Sequence, residues 1–147
     1  MSGLFPYANI VAGVLILLVG FGSHWLGQLI SLIDWGRATN LGLQEGGLLP
    51  EYKVYEHALA VADVVIGWVY GVAALGLFLD AGWGYKLAFV PGSILFYHAI
   101  AAWTWEGNRR EAGHRLWSDT MRIGWCLINA ATGILAILVA WMGRVGQ

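Results

Sequence analysis

The sequence predicts an all-α integral membrane protein, a four-helix bundle with both termini on the non-cytoplasmic side. Three observations carry that prediction: four long apolar segments, a scarcity of charge, and a costly polar residue at a similar depth in each segment. Of the 147 residues, 59% are hydrophobic and 12% charged, and the mean hydropathy is +0.64. Ordinary soluble domains carry about 25% charged residues, so this composition belongs to a membrane protein. A helix needs about 20 residues to cross a hydrocarbon core of ~30 Å at 1.5 Å per residue. Segments 8–33, 54–79, 85–105 and 120–142 meet that length. Together they are expected to form one transmembrane domain over residues 1–147, with no extramembrane catalytic lobe.

The first segment repeats Gly13, Gly20 and Gly27 every seven positions, a spacing that lets a neighbouring backbone come close. It is preceded by Met1-Ser2-Gly3-Leu4-Phe5-Pro6, which lacks the basic residues of a cleaved signal peptide, so it reads as a retained helix. Loop 34–53 contains Gly42-Leu43-Gln44-Glu45-Gly46-Gly47 followed by Leu48-Leu49-Pro50. Without a Lys-Ser/Thr pair this is a flexible interfacial loop and not a phosphate cradle. The second segment carries the small-xxx-small pair Gly67 and Gly71, and a tight turn at 80–84 leads into the third. Pro91-Gly92 should bend the third segment, either opening a cavity or leaving a plain kink. The fourth contains the single Cys126, which excludes an intrachain disulfide and any cysteine-based metal cluster.

Basic residues set the expected orientation. Arg37, Lys53, Arg109, Arg110, Arg115 and Arg122 lie in or beside loops one and three, against Lys86 and Arg144 on the opposite side. By the positive-inside rule loops one and three face the cytoplasm, and the inner membrane of a bacterium is the expected location. Arg109, Arg110, His114 and Arg115 read as topology determinants and contacts to anionic lipid, with docking of a cytoplasmic partner as the sharper alternative. Trp35, Tyr52, Tyr55, Trp103, Trp105 and Trp117 mark one interface, and Tyr7, Trp83, Tyr85 and Trp141 the other. Trp25, Trp68, Tyr70, Tyr97 and Trp125 fall inside the segments, where they pack, meet lipid or line a pocket.

Polar residues inside hydrocarbon are expensive, with insertion costs of about 2.5–3.5 kcal/mol for a central charge. Counted from the edge markers Asp34, Lys53, Glu106 and Asp119, the residues His24, Asp63, His98 and Asn129 lie at comparable depth, ~12–15 Å at 1.5 Å per residue. A second layer nearer the edge holds Gln28, Glu56, His57 and Arg122. Three of these align with the first layer by helix geometry: Gln28 with His24, Glu56 with Asp63, and Arg122 with Asn129. The simplest arrangement is a polar track from the cytoplasm to the middle of the membrane, with the outer half closed by apolar side chains. No comparable series enters from the other side.

Several chemistries use such a layer. His24, Asp63 and His98 have the composition of a two-histidine, one-carboxylate transition-metal triad, although no His-x-x-x-His, Glu-x-x-His or Cys-x-x-Cys spacing supports it. Histidines on separate spans also suit a haem or a chlorin. A lipid-soluble ligand asks for less: one hydrogen bond from a polar head and apolar walls. Proton-coupled transport by Asp63 or Glu56 is a different class, which the one-sided track disfavours. The plainest alternative is that the same groups bond one another and only hold helix register. Nucleic-acid binding and serine-type hydrolysis lack support. The sequence thus leads to a cofactor- or lipophilic-ligand-binding subunit of a homo-oligomer or larger membrane complex. Its alternatives are a membrane-embedded metal-dependent oxidoreductase and a proton-coupled small-molecule transporter.

Overall fold

A computed structural model describes residues 4–44, 49–113 and 117–145, with the side chains of residues 144 and 145 outside the described set. The fold is all-helical, 87% helix with no strands among the described residues. Four helices are long and apolar enough to span a membrane: Ala8–Ile33, Pro50–Phe78, Gly82–Glu111 and Asp119–Gly143. Consecutive spans pack side by side and the fourth returns against the first, giving an up-down-up-down bundle. Leu18, Val65, Leu75, Ile100, Leu127 and Trp141 are all exposed on its surface. Such a surface is stable only against lipid, and the chain is an integral membrane protein. Trp68 and Tyr97, 56% and 60% exposed, belong to that lipid-facing surface and not to a pocket.

The helices run further than the apolar segments. The second span begins at Pro50, a residue suited to the first helical position because its missing N–H would be unpaired there anyway. The third begins at Gly82 and continues to Glu111, so Arg109 and Arg110 sit on its last turn. Hydropathy marks where lipid ends, and backbone hydrogen bonding carries the helices beyond that point. A short helix, Trp35–Asn40, follows the first span. Its start is capped by the Asp34 carboxylate, which accepts from Arg37 N–H at 2.9 Å.

Packing between the first two spans is reciprocal. Cβ atoms added to Gly13 and Gly20 would meet the rings of Phe78 and Tyr70 at 2.7 and 2.3 Å. Those added to Gly67 and Gly71 would meet Trp25 and Phe21 at 2.6 and 3.1 Å. Each helix therefore inserts aromatic rings above the other's glycines, as the glycine spacings predict. Gly27 differs, because it faces Leu43 at 3.8 Å and borders a cavity. Inside the first span, Ile16–Leu26 forms a π-helix of 11 residues, and Ser23 Oγ adds a bond to Leu18 O at 3.2 Å, five residues back. Such turns are usually single and often mark functional sites.

The third span meets its neighbours through glycine at two points. At the hairpin between spans two and three, a Cβ on Gly84 would fall 2.2 Å from the Gly76 carbonyl carbon. Asp80 takes φ 51° in that turn, and its carboxylate accepts from the Tyr85 hydroxyl. Against the fourth span, a Cβ on Gly92 would fall 2.9 Å from Gly133 O, and one on Gly133 2.7 Å from Gly92 O. Pro91-Gly92 thus opens no cavity. Both residues are buried where the third and fourth helices touch, and the helix continues through them.

This half of the bundle is closed. Ala8, Ala12, Ile16, Tyr70, Ala74, Leu77, Leu95, Ala136, Val139 and Ala140 form one buried apolar cluster there. Asn9 Nδ2 donates to Leu77 O at 3.0 Å, and Gly143 lies against the Tyr85 ring, so both ends of the described chain emerge on this side.

Gly84→Ala should lower the thermal midpoint in detergent by the equivalent of about 1–3 kcal/mol, since a backbone neighbour cannot move aside as a side-chain tip can. Gly124→Ala, where nothing lies within 4 Å of an added Cβ, should match the parent or gain up to about 1 kcal/mol in helix propensity. Equal midpoints for the two variants would contradict the tight hairpin.

A candidate ligand site in the open half of the bundle

The opposite half encloses a cavity of about 770 Å³ that reaches to the middle of the spans. Its floor is made by His24, Asp63 and His98 from three helices, and Asn129 of the fourth lies fully buried behind His24, outside the lining. His24 Nε2 lies 2.7 Å from Asn129 Oδ1, and His98 Nε2 lies 3.1 Å from Asp63 Oδ1. The two imidazole rings stack with centroids 4.5 Å apart and planes at 37°, and Trp125 packs on His24 at 5.1 Å. The four residues selected by helical rise therefore do share one level.

Hydrogen bonding determines how the floor is protonated. Asn129 Nδ2 donates to its own helix, to Trp125 O at 2.9 Å, which turns Oδ1 toward His24. That acceptor selects the His24 tautomer carrying its proton on Nε2 and leaves a lone pair on Nδ1. Asn129 is fully buried and His24 6% exposed, so breaking the bond would strand two polar groups. On the other pair, Asp63 Oδ1 takes the His98 contact while Oδ2 is buried without a partner. Deeper still, Tyr70 Oη and Thr132 Oγ1 are buried and likewise unpartnered.

The walls are mostly apolar and small, including Leu59, Ala101, Ala102, Gly124 and Ile128. Toward the mouth they become amphipathic, with Tyr55, Trp105, Trp117 and Met121. Gln44 Nε2 donates to Gln28 Oε1 at 3.0 Å, which draws the residues after the Trp35–Asn40 helix over the opening. Gly42, with φ 71°, makes the turn that allows this. Of the charged groups, Glu56 and Asp63 line the cavity seven residues apart on one helix face, and the lining contains no lysine or arginine among the described residues.

The second polar layer divides. Gln28 and Glu56 border the cavity, whereas His57 is exposed and Arg122 lies outside the lining. Arg122 instead clamps two helices: its Nη2 donates to Trp103 O at 2.6 Å and its guanidinium lies 3.8 Å from the Trp103 ring centroid. Arg109, expected among the lipid contacts, is 4% exposed and sits between the rings of Tyr52 and Trp105 at 4.8 and 4.6 Å. Glu106, used above only as an edge marker, is fully buried. Its Oε1 accepts from Arg110 Nε at 3.0 Å and from Trp117 N at 3.2 Å, while Arg110 also pairs with Asp119. His114 and Arg115, and residues 45–48 of the glycine-rich segment, fall outside the described residues.

Of the five aromatic residues inside the spans, for which packing, lipid contact and a pocket were all open, Trp125 lines the cavity, four residues from Asn129. Sequence reasoning treated Tyr55, Trp105 and Trp117 as interface markers only. Depth and amphipathicity are the same for a mouth residue and a lipid-facing one, so only packing separates them.

The geometry also sorts the cofactor options. Two histidines binding opposite faces of a haem or chlorin need ring centroids roughly 6 Å apart, from metal–nitrogen bonds of ~2.0–2.1 Å. His24 and His98 at 4.5 Å are too close for that. Cis ligation of one metal ion, or hydrogen bonding to an organic head group, fits the spacing.

A double-mutant cycle of His24→Ala with Asn129→Ala, read by unfolding in mixed micelles, should return a coupling energy of about 0.6–1.7 kcal/mol, the range of intramembrane hydrogen bonds. A coupling near zero would show that the pair contributes nothing to the fold.

Comparison of the chain with protein-family models, with curated proteins and with solved structures finds no match.

Proposed function

We propose that this protein is a membrane-embedded binding subunit that takes a lipid-soluble ligand into the open half of its bundle. The observation that carries this reading is the cavity of about 770 Å³ whose floor is His24, His98 and Asp63, with Asn129 buried behind His24. Its volume falls in the ~300–1,000 Å³ range of small-molecule sites, and it combines apolar walls with a few convergent polar groups. A polar head, such as a carbonyl or hydroxyl on a flat ring, would bond to His98, Asp63 or the His24 edge. The apolar body would lie against Leu59, Ile128 and Trp125, with Gln28 and Glu56 at the entrance.

Binding is favoured over transport because the far half is filled. Ile16, Tyr70, Leu77 and Leu95 are fully buried beyond the floor, leaving no second route. The open end carries Arg37, Lys53, Arg110 and Arg122, which supports its placement on the cytoplasmic side of a bacterial inner membrane. A chain of 16.0 kDa with short connections has little surface for catalysis on its own, which favours a role within a homo-oligomer or a larger complex.

Protein purified from its native membrane in mild detergent should release one lipid-soluble compound, near one per chain, on solvent extraction and mass spectrometry. His24→Ala, Asp63→Asn and His98→Ala, where they keep the parent's melting profile, should lose it, as should the cavity-filling Gly124→Leu. An extract with only bulk lipid, or retention by all four variants, would refute the reading. For orientation, in a Cys126→Ser background, Asn40→Cys should be labelled by an impermeant thiol reagent only in inside-out vesicles and Lys86→Cys only in intact cells. The reverse pattern would invert the topology.

A further inference from the structure

We infer that the floor of the cavity is a binding site for a divalent transition-metal ion, held by His24, His98 and Asp63 and open toward the cavity. This deepens the cavity reading, because an ion there would present free coordination positions to the polar head of the ligand.

Geometry is the first support. One donor atom from each of the three residues lies within 4.8 Å of the others. Ligands bound at ~2.0–2.2 Å sit ~3.0–3.4 Å apart when cis, so the 3.1 Å between His98 Nε2 and Asp63 Oδ1 already has the length of one edge of a coordination polyhedron. The remaining donors must close by about 1.5 Å, a side-chain rotation on helices whose backbones need not move.

Charge is the second. Asp63 Oδ2 is buried with no partner, and no lysine or arginine lines the cavity among the described residues. An ionised carboxylate in such a place is stabilised by a cation bound to its free oxygen. With the two imidazole centroids only 4.5 Å apart, a divalent ion would bond both rings and the carboxylate at once.

The third is the orientation of His24. Asn129 Oδ1 accepts from His24 Nε2 and so leaves Nδ1 as the nitrogen with a lone pair, the arrangement by which an outer group fixes the tautomer of a metal-binding histidine. Two nitrogens and one carboxylate oxygen select transition metals over magnesium or calcium, and three protein ligands leave positions free.

The test is a cobalt(II) titration of chelator-stripped protein in detergent, followed by the visible ligand-field bands, with zinc added as competitor. One cobalt per chain, displaced by zinc, is expected. His24→Ala, His98→Ala and Asp63→Asn should each abolish the bands. Asn129→Ala should keep the stoichiometry and weaken binding about 10–100-fold, the usual effect of losing a group that orients a ligand. His57→Ala, at an exposed position away from the cavity, should titrate as the parent. Should the histidine variants fail to fold, copper(II) electron paramagnetic resonance on the unmodified protein decides independently, with hyperfine splitting from two nitrogens expected. No bands up to millimolar cobalt, or full affinity in Asp63→Asn and His98→Ala, would overturn the site. If stripped protein still takes up its lipid-soluble compound while cobalt does not bind, only the metal inference falls. If cobalt binds and no compound is ever recovered, only the cavity reading falls.

Discussion

Everything in the open half depends on pairing polar groups at the middle of membrane-spanning helices. Each of the four spans contributes one such group to a single polar layer, and the layer exists because His24 finds Asn129 and His98 finds Asp63. An unpaired hydrogen-bonding group in hydrocarbon costs several kcal/mol, so these two bonds constrain the depth and rotation of all four helices together. The second pair also leaves something unmet: Asp63 Oδ2 has no partner.

The closed half solves a different problem. Apolar side chains gain little by leaving lipid for each other, so helix association there must come from close van der Waals fit. Gly13, Gly20, Gly67 and Gly71 receive rings from the opposing helix, and the Gly76/Gly84 and Gly92/Gly133 contacts bring backbones together. The glycines that receive rings or backbone are in this half. Gly27 and Gly124 lie in the other half and leave room, lining the cavity instead of closing it. One residue type therefore serves both ends of the bundle, and the partner opposite decides whether its missing side chain makes a contact or a space.

At the mouth, arginines do structural work that their number alone conceals. Arg109 between Tyr52 and Trp105, Arg122 over Trp103 and Arg110 across Glu106, Asp119 and Trp117 fasten the rim. Guanidinium groups suit this because they stack on aromatic faces and bond carbonyls at the same time. The same residues are the charges from which the sequence predicts membrane orientation.

The sequence by itself determined the fold class, the number of spans and the depth of the polar layer, because length, apolarity and helical rise are properties of single helices. His24, Asp63, His98 and Asn129 were legible as a set for that reason, and so were the close-packing glycines of the first two spans. Rotation about each helix axis is not a property of one helix, and it was decided only when the helices packed. It turned His57 outward and Arg122 onto Trp103, buried Arg109 and Glu106, and placed Gly92 in a contact instead of a cavity. The π-helical stretch at Ile16–Leu26 and the pairing of Asn129 with His24 likewise have no local sequence signal. The pairing joins residues 105 positions apart, a contact that a periodic pattern read along one helix does not contain.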